Sequence, residues 1–328
     1  MMDSIWAFGI EITHFLQGLG SWLSAPMKFF TFFGNEEFYM LVMPALYWCL
    51  DATLGFRIGL MLVISGSLNS MAKLLFKSPR PYWVDKQVVA YSSEHSFGMP
   101  SGHAMNATSV WGLFATSLKK KAVTITAILL ILLIGISRIY LGVHFLSDVL
   151  AGWLLGSLLL LLYIHLEKPI TAWVKNLPFR RFVMYMFLIA LAMIALNAAI
   201  IRLNLNWQIP VQWVEISTIT DPSGEIDTMS LDGTITNAAI FFGFSTGVMW
   251  IKRNGDFNTK GILVKKIVRF VIGLTGVLLL WAGLGTLFPR DANFLGYTLR
   301  FIRYALAGLW ISAGAPLVFK KLGLVENK

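Results

Sequence analysis

Apolar runs of membrane length, separated by short polar stretches, recur from one end of the chain to the other. Runs of roughly 17 to 25 residues read as helices, because lipid cannot satisfy an open backbone. The pattern predicts about nine spans, at 34–50, 54–76, 101–118, 122–140, 145–165, 182–203, 236–251, 263–287 and 299–317, of which the first is short. Residues 4–24 follow another rule. Glu11, His14, Gln17 and Ser21 recur at helical spacing opposite Trp6, Ile10, Phe15 and Trp22, which predicts an amphipathic helix lying at the membrane surface. No Lys or Arg precedes it and no clear small-residue cleavage site follows, so it does not read as a signal peptide. The longest polar segment, 204–235, carries the alternating stretch VQWVEISTIT and the turn DPSG, which predict a loop or small hairpin on the outer face. The fold class expected is all-α, a polytopic integral membrane helix bundle. Its core covers 1–203, the loop or hairpin 204–235 and a three-span extension 236–328, with a basic connector at 165–181.

Composition strengthens this reading. Apolar residues make up 56% of the chain and charged residues 13%, about half the roughly 25% of a soluble domain. The net charge of +10 then becomes a question of sidedness. Arg57, Lys119 to Lys121, Lys168, Lys175, Arg180, Arg181, the basic residues from Lys252 to Arg269, and Lys320, Lys321 and Lys328 fall on one side of the predicted spans. By the positive-inside rule that side is cytoplasmic, and contact with anionic lipid is a by-product. The chain lacks the soluble basic domain and the aromatic-basic interleaving of a nucleic-acid reader, so no nucleic-acid partner is expected. Cys49 is the single cysteine and can form no intramolecular disulfide.

Against this apolar background three polar clusters stand out, all on the outer face under that topology. Lys73 and Arg80 lie in KLLFKSPRP, seven residues or two helical turns apart, before Pro79 and Pro81 end the helix. MPSGHAMN at 99–106 opens the third span, with the backbone N–H groups of Ser101, Gly102 and His103 at its N-terminus, a ready anion site. Arg138 ends the fourth span, and His144 and Asp148, one turn apart, open the fifth. Three cations, a helix N-terminus, two histidines and a carboxylate suit a tetrahedral dianion on which chemistry is done. A lone Lys or Arg near a helix end ordinarily snorkels to the interface; the complete ordered set is what carries the assignment.

That set, Lys, six residues, Arg-Pro; Pro-Ser-Gly-His; Ser-Arg, five residues, His, three residues, Asp, resembles the signature of the type-2 phosphatidic acid phosphatase superfamily, which includes vanadium haloperoxidases. THFLQ near the N-terminus, RPYW at 80–83, PSGHAM at 100–105, SRIYL at 137–141 and EIDTMSL at 225–231 resemble its glucose-6-phosphatase and sphingosine-phosphate phosphatase branch. The resemblance implies that His144 attacks phosphorus and forms a phosphohistidine. Asp148 then orients its imidazole, and His103 protonates the leaving oxygen and activates the water. Lys73, Arg80, Arg138 and the Ser101 and Gly102 N–H groups would hold the phosphate oxygens. No metal and no cofactor is expected, since no cluster of carboxylates or Cys and His ligands stands beside the site.

The function expected is an integral-membrane phosphatase acting on a phosphomonoester, borne by a lipid because a site at the mouth of membrane helices admits a headgroup from the leaflet. Its partners are then membrane lipids and a phosphate-bearing substrate. A second reading keeps the chemistry on a soluble sugar phosphate or a prenyl diphosphate, and a third is a non-enzymatic lipid binder or transporter. The membrane is a bacterial plasma membrane or the endoplasmic reticulum, with the site facing the periplasm or lumen. Lys77 and Tyr82 flank the signature as candidate substrate contacts. Arg300 and Arg303, in the last span, suit either a second anionic group or snorkelling.

Overall fold

The computed structural model describes residues 2–222, 224–289 and 291–325; Lys328, counted above with the cytoplasmic cations, lies outside them. The described residues form helices and connecting loops, with no strand. In chain order the first are α1 (Met2–Gly18), α2 (Ser24–Phe32), α3 (Glu36–Ala45), α4 (Ala52–Phe76), α5 (Pro81–Val84), α6 (Gly102–Leu118), α7 (Lys121–Tyr140), α8 (Leu146–Lys175), α9 (Phe179–Leu203) and α10 (Val211–Thr220). There follow α11 (Asp232–Arg253), α12 (Leu263–Leu278), α13 (Leu284–Leu287), α14 (Phe294–Leu309) and α15 (Ala315–Lys321).

Seven helices among the described residues are long and apolar enough to cross a membrane: Ala52–Val84, Lys121–Tyr140, Leu146–Lys175, Phe179–Leu203, Asp232–Arg253, Leu263–Leu287 and Phe294–Lys321. The protein is a multi-pass membrane protein. Two of the nine expected spans fall short. α3 has 10 residues, with Pro44 near its end, and gives way to a π turn over Leu46–Leu50. α6 has 17 residues, and at 1.5 Å per residue it reaches about 25 Å against a hydrocarbon core of about 30 Å. Only 22% of the most apolar window of α8 is buried within the protein, and its exposed face is a row of leucines, Leu150, Leu154, Leu158, Leu161 and Leu162. Such a face suits lipid rather than water. α8 also runs on to Lys175, through most of the stretch read as a connector.

Contacts divide the chain into two compact units: Met1–Phe38, Leu68–Tyr163 and Asn197–Ser230 in the first, Tyr39–Ser67, Ile164–Leu196 and Leu231–Lys328 in the second. All three polar clusters fall in the first unit. There α4 stops at Phe76 because Lys77 turns left-handed (φ 48°) and Pro79 follows, and Pro81 opens α5 at a position where its missing N–H costs nothing. α8 lies close against α6 through two glycines one turn apart. A Cβ on Gly152 would stand 2.7 Å from the Ser101 carbonyl oxygen, and one on Gly156 2.6 Å from that of Met105. Small residues at this spacing let helix backbones approach, and here they fix the first turn of α6.

Of the loop or small hairpin expected at 204–235, no strand forms among the described residues: residues 211–220 form α10, led by Pro210. Alternation over ten residues is too short to exclude a helix, and the helix sets Trp213 among Trp6, Trp83 and Trp207, with ring centroids 6.2–6.3 Å away. Thr220 Oγ1 donates to the Tyr82 carbonyl at 2.7 Å, fastening α10 to α5.

In the second unit α11 and α14 meet backbone to backbone, since a Cβ on Gly243 would stand 2.0 Å from Ala305 O. Arg269, read as a cytoplasmic cation, is fully buried. Its guanidinium donates to the carbonyls of Trp48, Thr259 and Lys260 at 2.9–3.2 Å, so it ties together backbone that would otherwise lack donors.

Candidate active site

The site grows from Arg80. It is fully buried, and burying a guanidinium requires acceptors. Nε donates to Ser96 O at 2.7 Å, Nη1 to Val143 O at 2.8 Å and Nη2 to Phe97 O at 3.1 Å. Lys73, in the last turn of α4, donates from Nζ to Ser96 Oγ at 2.7 Å, and Arg80 Nη2 reaches the same hydroxyl at 3.3 Å. The two cations thus converge, although not by two turns of one helix. α4 has already ended, Arg80 is extended (φ −104°, ψ 155°), and the loop residue Ser96 joins them.

The loop that carries Ser96 runs from Asp85 to Pro100 and threads a narrow gap. At Gly98 a Cβ would be 2.4 Å from Pro79 O and 2.9 Å from Asp148 Oδ2, so only glycine passes there.

His144 and Asp148 lie on the other side of Arg80. Asp148, fully buried in the first turn of α8, accepts the Phe145 N–H at 2.9 Å and faces His144 Nδ1 at 3.3 Å through one oxygen, Oδ2. Its other oxygen, Oδ1, is buried without a hydrogen-bond partner. A proton on Nδ1 satisfies that contact and leaves the lone pair on Nε2, which stands 3.4 Å from Arg80 Nη1. Burial, followed by the fields of Arg80, Arg138 and Lys73, holds the His144 imidazole well below its ordinary range. The ring is neutral at pH 7, as a nucleophile must be.

At the N-terminus of α6, Ser101 is the cap, its Oγ accepting the Ala104 N–H at 3.4 Å. The Ser101 backbone N–H, expected to face an anion, instead donates to the Asp148 carbonyl at 2.9 Å, and this bond ties α6 to α8. Gly102 N–H remains as the first donor of the helix. His103 sits in the first turn, its Nε2 2.8 Å from Asn35 Oδ1.

Arg138, 2% exposed at the end of α7, donates from Nη1 to Thr31 Oγ1 at 2.8 Å. Its Nη2 is bonded to Glu94 Oε1, while the second Glu94 oxygen lies 3.7 Å from Arg80 Nη2. Burial alone would raise the Glu94 carboxyl, but Arg138, Arg80, His103 and Lys73 overrule it and hold it well below the usual carboxylate range. Glu94 is therefore an anion inside the cationic cluster. The sequence reading missed it, along with Ser96, Asn35 and Thr31. The one available signal was charge balance, since three buried cations together call for an internal anion.

The remaining flagged residues have other partners. Lys77 donates to Asn204 Oδ1 at 2.7 Å and lies 5.6 Å from the Trp207 ring centroid. Tyr82 OH donates to Glu94 O at 2.8 Å and accepts Glu94 N–H at 3.1 Å. Arg300 and Arg303 belong to the second unit, where Arg300 pairs with Asp232 and Arg303 lies over the Tyr304 ring. Among the described residues no three His, Cys, Asp or Glu side chains gather as a metal would need.

Comparison with known proteins bears on the same residues. The PAP2 superfamily pattern matches residues 54–172, which include every residue proposed above from the signature, and the pattern described as PAP2 superfamily phosphatase, transmembrane extension matches residues 235–327. The undecaprenyl-diphosphatase of Sulfolobus acidocaldarius is 31% identical over 150 residues, 44% of this chain and 71% of that one. The chain belongs to the PAP2 superfamily. Other relatives in the superfamily include phosphatidylglycerophosphatase B of Bacillus subtilis, 37% identical over 34% of this chain and 58% of its own length. Sphingosine-1-phosphate phosphatase 1 of Mus musculus is 35% identical over 40% of this chain and 32% of its own length. The chain therefore matches less than two thirds of the length of these two relatives.

Proposed function

We propose that the protein is an integral-membrane phosphatase that hydrolyses a lipid phosphomonoester, without a metal, through a phosphohistidine on His144, at a site open to the extracytoplasmic or lumenal face. One observation supports this most: a buried His144 whose Nδ1 faces Asp148 Oδ2 at 3.3 Å and whose Nε2 stands 3.4 Å from Arg80 Nη1.

In the first step the Nε2 lone pair forms a bond to phosphorus as the bond to the leaving oxygen breaks. Asp148 stabilises the imidazolium that results, and Lys73, Arg80, Arg138 and the Gly102 N–H hold the three remaining oxygens. The bound dianion provides the negative charge that lets His103 carry a second proton, which it gives to the leaving oxygen. In the second step His103, now neutral, takes a proton from water as that water attacks phosphorus, and phosphate leaves His144. Ser101 supports this geometry by capping α6 and bonding to Asp148, rather than by holding phosphate itself.

A lipid carrier is supported by the three relatives, each named for a lipid phosphate or diphosphate, and by the exposed leucine face of α8, which suits lipid. The outward site follows from the positive-inside assignment. The test is phosphate release by purified protein from lipid monophosphates, a prenyl diphosphate and sugar phosphates, with excess chelator present throughout. Lipid monophosphates should turn over fastest and orthovanadate should inhibit. Loss of turnover on chelation with rescue by magnesium would contradict the mechanism, and preference for a soluble sugar phosphate would contradict the substrate.

A further inference from the structure

The carboxylate of Glu94 stands where a substrate phosphate is expected to stand. It contacts Nη2 of Arg138 directly and lies 3.7 Å from Nη2 of Arg80, the two guanidinium groups assigned to phosphate. Both arginines also have neutral acceptors. Arg80 is anchored by the carbonyls of Ser96, Phe97 and Val143, and Arg138 by Thr31 Oγ1. Arg138 also keeps a buried Nε without an acceptor, so its donor capacity exceeds what Thr31 and Glu94 use.

The way Glu94 is mounted points the same way. The Tyr82 hydroxyl grips its backbone from both sides, donating to its carbonyl and accepting from its N–H, which aims the side chain into the cluster. The side chain nevertheless remains 26% exposed, beside guanidinium groups that are 0% and 2% exposed. A glutamate has three rotatable bonds, so the carboxylate can swing toward solvent while the backbone stays fixed, a side-chain motion that requires no unfolding.

We propose that Glu94 is a resident anion that occupies the phosphate seat and must be displaced before any phosphate binds. The inference rests on the phosphatase reading. Exchange of one anion for another keeps Arg80 and Arg138 paired and pre-organised at every stage, so the cationic cluster is never left uncompensated in a low-dielectric setting. It also makes Glu94 a determinant of specificity. A monoanion such as a phosphodiester brings one charge to replace one charge, whereas a phosphomonoester brings a second and gains correspondingly from Lys73 and Arg138. Apparent affinity falls by the fraction of molecules whose seat is free.

Removing the carboxylate's charge should therefore tighten anion binding. Full-length wild type and Glu94→Gln in detergent are titrated with inorganic phosphate and orthovanadate by calorimetry, with no substrate present. The glutamine variant should bind both about 10 to 100-fold more tightly, the factor expected if the seat is free in about 1 to 10% of molecules. Glu94→Asp, which keeps the charge but shortens the arm, provides a second, independent variant should the glutamine protein fail to fold, and should tighten binding by a smaller factor of at least threefold. Tightening under threefold, no change, or weaker binding in the folded variants would overturn the proposal. Weaker binding in particular would make Glu94 a positioning residue for Arg138. Failure of wild type and variants alike to bind either anion would remove the phosphate site itself, and the proposal with it.

Discussion

Replacing Asp148 by asparagine tests the division of labour in the site, and the structure fixes what the change must do. One carboxylate oxygen accepts the Phe145 N–H at 2.9 Å and faces His144 Nδ1 at 3.3 Å, while the other is buried with no partner. If the amide oxygen takes the bonded position, its NH2 group is buried where nothing accepts it. If the amide is turned over, NH2 meets the Phe145 N–H, and His144 must move its proton to Nε2 and lose the attacking lone pair. Leaving a buried donor unsatisfied costs about 1–3 kcal/mol, and exchanging a charge-assisted hydrogen bond for a neutral one costs about 1 kcal/mol more. Since the imidazolium exists only beyond the ground state, loss of its counter-charge appears in the barrier. A total of about 2–4 kcal/mol corresponds to a fall of roughly 30-fold to 10³-fold in kcat. KM should change only a few-fold, because the hydrogen bonds of the Asp148 side chain go to the Phe145 N–H and toward His144 rather than to the cations assigned to phosphate. Steady-state turnover of a lipid phosphate in mixed micelles gives both constants, and a melting curve shows whether the variant remains folded. A folded Asp148→Asn protein with kcat within about threefold of wild type would refute the orienting and charge-stabilising role.

Because burial and the neighbouring cations hold His144 well below its ordinary range, it keeps its lone pair as pH falls through that range. The acid limb of kcat/KM should therefore follow the second ionisation of the substrate phosphate, near pH 6, and move between substrates that differ in it; a fixed limb at the ordinary histidine value for every substrate would contradict this. Gly152→Ala places a Cβ 2.7 Å from Ser101 O and 2.9 Å from Ala104 Cβ, and overpacking of this kind costs about 1–3 kcal/mol. It should lower both melting temperature and kcat/KM, whereas Gly18→Ala, with nothing within 4 Å of the added atom, should alter neither; equal effects from both would refute the claim that α8 positions the first turn of α6.

What the sequence revealed, and what it hid, divides along physical lines. Long apolar runs announced α4, α7, α8, α9, α11 and α12 because lipid permits few alternatives to a helix. Lys73, Arg80, Arg138, His144 and Asp148 stood out because charge is rare in such a chain, and the fold does gather them in one unit. The partners escaped notice because they are ordinary residues in ordinary places. Ser96 and Glu94 lie in a polar loop whose course is set by Gly98 and Tyr82, and Asn35 and Thr31 come from the far N-terminal segment. Only tertiary structure brings these to the cations. The donation of the Ser101 N–H to Asp148 O was equally invisible, since a helix N-terminus read from sequence presents all its donors as free. α10 was misread because alternation over ten residues is too short to exclude a helix, and its packing on α5 decides the matter.

The central claim is that His144 becomes covalently phosphorylated. Rapid-quench experiments with a radiolabelled substrate should trap acid-labile, alkali-stable phosphate on the wild-type protein within a single turnover. The same phosphate should be absent from His144→Ala and should accumulate in His103→Ala when an activated substrate such as a nitrophenyl phosphate bypasses the need for leaving-group protonation. Undiminished acid-labile phosphate on folded His144→Ala protein would contradict the account.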